Sequence, residues 1–72
     1  MDVVTQVQAA LAKSPIYVLR HLRVERNGRR LVLSGSVDSY YHKQLAQEVV
    51  RLLTTDLHLV NAIEVDDRDR PS

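Results

Sequence analysis

The spacing of apolar positions switches back and forth between two periods along the chain. Val3, Val7, Ala10 and Leu11 recur at helical spacing, with Lys13 near the end and Ser14-Pro15 as the stop, which predicts a short first helix over residues 3–13. "IYVLR" at 16–20 is apolar without a period and reads either as a further turn or as an extended lead-in. From residue 21 the period falls to two, returns to a helical one after Val37, and alternates again from Leu57.

The first alternating stretch, "HLRVERNGRRLVLSGSV", is split by Asn27-Gly28, the pair most favoured in a two-residue type I′ hairpin turn. A turn on those two residues sets Arg26 opposite Arg29, Glu25 opposite Arg30, Val24 opposite Leu31, Arg23 opposite Val32 and Leu22 opposite Leu33. One face then carries Leu22, Val24, Leu31, Leu33, Gly35 and Val37, and the other carries His21, Arg23, Glu25, Arg30, Val32 and Ser34. The first is expected to be core and the second to meet water.

Asp38 is placed to cap the helix that follows, where Tyr41, Leu45, Val49, Leu52 and Leu53, with Ala46 between them, form a stripe. A helix starting directly after a strand folds back over the sheet, and Gly35 on the core face is expected to give it room. "LHLVNAIEV" then alternates, with Leu57, Leu59, Ile63 and Val65 on one side and His58, Val60, Ala62 and Glu64 on the other. Asn61 falls among the apolar set and needs a hydrogen-bond partner there. The resulting order α-β-β-α-β predicts an α+β two-layer sandwich, a three-stranded sheet with two helices on one face. The alternation leaves the last strand two places, beside the first or the second strand of the hairpin; the first is preferred, reached by a right-handed crossing of the second helix. Residues 1–65 form the expected single domain, and 66–72 a charged, disordered tail.

Composition narrows what such a domain does. A chain of 72 residues builds one small core, burying roughly 60% of the surface it exposes when unfolded. There is no cysteine, so neither a disulfide nor a thiolate-bound metal supports that core, and an added subunit is one way to supplement it. No apolar run is long enough to span a bilayer, and "MDVVTQVQAALAKSP" lacks the charge order and apolar run of a signal peptide. As written, the chain is expected in the cytoplasm, or in the cell envelope if it is a fragment of an exported protein. The formal net charge is only +1, yet Arg20, Arg23, Arg26, Arg29 and Arg30 crowd around a single acid, Glu25. Such a patch on a nearly neutral chain points to an anionic partner, set against the plainer reading of a solvated edge that aids solubility.

The residues "LRVERNGRRLVLSGSV", a helix containing "HKQLAQEVV" and the closing "LVNAIEV" resemble the BON domain, named for bacterial osmotically inducible and nodulation proteins. The resemblance implies a binding module without catalytic activity that associates with phospholipid membranes or cell-envelope partners. Two departures stand out. The family usually has a glycine before its last strand, where this chain has Thr54, Thr55 and Asp56, and it usually follows a signal peptide or occurs in tandem copies.

The chemistry-bearing residues fit that reading. Ser34 and Ser36 flank a glycine at a strand end, which is a strand-to-helix joint and not a nucleophile elbow. His21 and His58 share the open face and approach one another if their strands are neighbours, but two histidines without a third ligand make a poor zinc site. His42 reads as a surface residue. No glycine-rich phosphate loop is present, and without Phe, Trp or a basic helix the arginines lack the platform of nucleic-acid readers. No catalytic residue, metal site or cofactor is expected. The candidate anion- or lipid-binding residues are Arg23, Arg26, Arg29 and Arg30, with Tyr40 and Lys43 at the start of the second helix. Gly28, Gly35 and Asp38 are structural. The expected partner is an anionic phospholipid surface or another protein. Val32, Val60 and Ala62 leave an apolar spot on the open face that suits a partner or weak self-association.

Overall fold

The structure is a computed structural model that describes residues 2–54 and 56–66. The sequence-based tail therefore lies almost wholly outside the described residues; of it, Asp66 is placed, and its N–H donates to Val37 O at 2.7 Å.

Helix α1 spans Val3–Ala12 and buries Val7 and Leu11, one turn apart. It stops at Ser14, whose hydroxyl accepts from Ile16 N at 3.1 Å and whose carbonyl accepts from Arg20 Nε at 2.7 Å. Pro15, with no N–H to give, cannot extend the helix past this knot. The unassigned apolar stretch becomes a 3-10 turn over Tyr17–His21 with Leu19 buried. His21 thus ends a turn instead of joining the open sheet face, and its ring meets Tyr17 edge-on at 4.8 Å.

Strands β1 (Arg23–Asn27) and β2 (Arg30–Val37) form the expected hairpin, one residue later than predicted. The turn residues are Gly28 and Arg29, and Asn27 pairs with Arg30. A type I′ turn needs positive φ at both centres, whereas here Gly28 has φ 64° and no residue other than glycine has a positive φ among those described. Glycine first with an ordinary residue second is the type II′ pattern. Every partner moves by two: Val24 opposes Leu33, Glu25 opposes Val32 and Arg26 opposes Leu31. An even shift keeps both faces intact, so the apolar set remains inside. It also removes the direct Arg26 to Arg29 opposition, which like charges disfavour, at the cost of the Glu25 to Arg30 pairing.

Helix α2 (Tyr40–Leu53) begins two residues after β2, and its cap is Ser39, not Asp38: Ser39 Oγ accepts from His42 N at 3.1 Å. Asp38 instead lies with its Oδ1 2.6 Å from His42 Nδ1. Strand β3 (His58–Val65) pairs in parallel with β2, giving the order β1-β2-β3. The expectation that it would lie beside β1 is corrected. β2-α2-β3 is a crossover between adjacent parallel strands, and β2, as the central strand, pairs along both of its edges. The fold is the expected α+β arrangement, with a mixed sheet.

The core lies between the helices and one sheet face, around Leu11, Leu19, Leu31, Leu33, Val50 and Ile63. Two contacts there differ from expectation. Gly35 has φ 125°, and a Cβ built on it would sit 3.0 Å from Leu22 Cδ2, so the close neighbour is the end of the 3-10 turn and not α2. On α2 the fully buried residues are Ala46 and Val50, with Leu45 and Val49 half-buried beside them, while Tyr41 and Leu52 are 68% and 83% exposed. Asn61 fixes that rotation. Its amide donates to Lys43 O at 3.3 Å and Gln47 Oε1 at 3.0 Å, and its Oδ1 accepts from Ile63 N at 3.1 Å. The polar residue predicted to need a partner on the apolar side ties β3 to α2.

A basic hairpin tip as candidate anion-binding surface

The hairpin places its arginines around its tip. Arg29 occupies the turn, Arg30 opens β2 on the open face, and Arg26 lies on the helix-covered side, where the strand runs past the core into solvent. Arg26 Nε donates to Gly28 O at 3.0 Å across the turn, and the side chain remains exposed. All three side chains are exposed, and none joins an ion pair among the described residues. Seen end-on, the tip presents positive charge on both sides and at its apex.

The β3 pairing adds a residue that the sequence places on the open face but does not bring to the tip. His58 N donates to Arg29 O at 2.7 Å, and His58 lies beside Arg30 on the open face, in one row with Asn27. The parallel position of β3 is what brings it there. His58 and His21 do not share that face, because His21 ends the 3-10 turn and lies outside β1. No group of three or more metal-ligating side chains occurs among the described residues.

The other predicted site residues separate from the tip. Arg23 points to the open face from the far end of β1, paired with Ser34. Tyr40 and Lys43 lie at the start of α2, next to the end of β2 opposite the tip, a strand length of about 23 Å away for eight residues. Tyr40 Oη accepts from Gln44 Nε2 at 2.8 Å, and Lys43 is half-buried beside Asn61. These two residues and the tip do not form one surface. Arg20 is occupied at Ser14, with its guanidinium carbon 5.9 Å from the centre of the Tyr17 ring.

A shallow pocket of about 220 Å3 adjoins the tip on the core side, lined by Val3, Arg26, Leu53, Thr54, Asp56 and Leu57. It lies where α2 gives way to β3. There Thr54 is buried, its hydroxyl donating to Val50 O at 2.9 Å and so ending α2 from within. No described helix is long and apolar enough to cross a membrane.

A two-layer α-β-β-α-β domain with a glycine-bearing hairpin and one cationic end is what any family assignment has to match. A search of curated proteins returned no significant match. The profile of the BON domain matches residues 2–67, which takes in the first helix as well as the hairpin, crossover and last strand, and the chain belongs to the BON domain family.

Proposed function

We propose that this BON domain is a binding module that attaches peripherally to an anionic phospholipid surface through its hairpin tip. The observation that carries this reading is the arrangement of Arg26, Arg29 and Arg30 around the apex, exposed and without a carboxylate partner among the described residues. Near an anionic bilayer each such residue contributes about 1 kcal/mol. The tip alone therefore supports weak, salt-sensitive attachment, strengthened where several copies act together. Its shape favours end-on contact, since the three side chains leave the hairpin in different directions. Tyr40 and Lys43 take no part in it.

The test is co-sedimentation with vesicles of anionic and of neutral phospholipid at several salt concentrations. Wild-type protein is expected to prefer anionic vesicles and to lose that preference as salt screens the contact. The triple replacement Arg26→Ser, Arg29→Ser and Arg30→Ser should abolish it with an unchanged circular dichroism spectrum. Equal sedimentation of wild-type protein with both vesicle types at low salt would remove the lipid reading and leave a module for protein partners.

A further inference from the structure

The sheet face that no described helix covers is ordered in rows across its strands. The pairings set Asn27, Arg30 and His58 in the first row, Glu25, Val32 and Val60 in the second, Arg23, Ser34 and Ala62 in the third, and Ser36 and Glu64 in the fourth. The charged members are all exposed, and neither Arg23 nor Glu25 joins an ion pair among the described residues. The middle of the face is small and weakly polar, with Val32, Ser34 and Val60 half-buried.

We propose that this face is the interface of a homodimer, packed sheet to sheet about a twofold axis that runs across the strands between the second and third rows. Such an axis lays each strand over its own copy, running the opposite way. Glu25 then faces the partner's Arg23, Val60 faces the partner's Ala62, Val32 faces the partner's Ser34, and His58 faces the partner's Glu64. Each contact occurs twice, as an isologous interface requires. The other in-plane twofold, parallel to the strands, sets Arg30 on the partner's Arg30 and Glu25 on the partner's Val60. That arrangement opposes like charges and covers a carboxylate with an apolar group. The charge pattern therefore selects one axis, and all three strands agree on it.

The geometry is that of aligned sheet packing, with faces about 10 Å apart and strands turned by about 30°. With strands about 4.8 Å apart, that rotation displaces the outer columns by about 2.5 Å, within the reach of Arg and Glu side chains. The face is three strands wide and at most eight residues long. It is thus smaller than the roughly 800 Å2 per partner of a standard interface, and the expected dissociation constant is micromolar or weaker.

Sedimentation equilibrium without lipid, from about 10 μM to 1 mM in keeping with so small an interface, tests the proposal. Wild-type protein is expected to dimerise reversibly over this range. Arg23→Glu and Glu25→Arg each place like charges at both facing positions, so each variant alone should associate at least tenfold more weakly, a loss of about 1.4 kcal/mol. The two variants have opposite charges at those positions, and mixing them in equal amounts should restore dimers, now mixed ones. Both sites are exposed, and unchanged melting temperatures will confirm that the fold persists. A wild-type protein still monomeric at the highest concentration, single variants that dimerise like wild type, or a mixture that fails to recover would each overturn the proposal. Loss of lipid binding would leave it untouched.

Discussion

Gly35 carries two constraints that add. Its φ of 125° lies where L-residues are strained, and the space a Cβ would need is taken by Leu22. Gly35→Ala is expected to cost about 1–3 kcal/mol in a urea titration. Gly28 has a positive φ, but a Cβ added there would meet nothing within 4 Å, so Gly28→Ala should cost less, through strain alone. Equal losses at the two sites would show that the Leu22 contact does not matter. That Gly35 is needed was legible in the sequence from its place on an apolar strand face. What approaches it was not, because the 3-10 turn that delivers Leu22 has no period of its own. The cap of α2 was missed for a related reason: Asp38 and Ser39 are both good caps, and hydrophobic spacing places a helix start only to within a residue or two. Ser39→Ala should cost about 1 kcal/mol, and Asp38→Ala less, since the Asp38 to His42 contact is exposed.

At the scale of elements, α2 offers two overlapping apolar stripes. Tyr41, Leu45, Val49 and Leu52 make the more hydrophobic one, and Ala46 and Val50 make the one that is buried. Side-chain size misleads here, since a helix lying close to a sheet needs its smallest residue at the point of closest approach. The Asn61 bonds to Lys43 and Gln47 then set the rotation. Val50→Ala should therefore lower stability by on the order of 2 kcal/mol, whereas Leu52→Ala should stay within about 0.5 kcal/mol of wild type. Thermal melts of the two variants decide it, and a larger loss at Leu52 would restore the stripe that the sequence suggests. The hairpin was legible in its existence and in both faces. Its register was not, because moving the turn by one residue changes no residue's face and leaves the hydrophobic pattern silent.

Across the whole molecule, the fold class was legible from the alternation of periods, while the strand order, on which the candidate site depends, was not. β1 is short and carries Arg23, Glu25 and Arg26, as an edge strand does, and β2 is the apolar central strand. Placing β3 beside β2 is what puts His58 at the arginine tip and aligns the rows of the open face. The same topology makes a prediction for hydrogen exchange. The bonds His58 N to Arg29 O and Asp66 N to Val37 O fix which N–H groups of β3 face β2: those of the even-numbered residues. The N–H groups of Leu59, Asn61 and Ile63 therefore point to the open edge, where Asn61 Oδ1 holds only that of Ile63. Amides of Val32 and Leu33, paired within the central strand, should exchange only through global unfolding. Leu59 and Asn61 should exchange fast, and Ile63 should be protected between them. Asn61→Ala should remove that protection and cost about 1–3 kcal/mol through the polar groups left unpaired. If Ile63 exchanges as fast as its edge neighbours in wild-type protein, the side chain does not close the edge, and β3 is open to strand pairing with another chain.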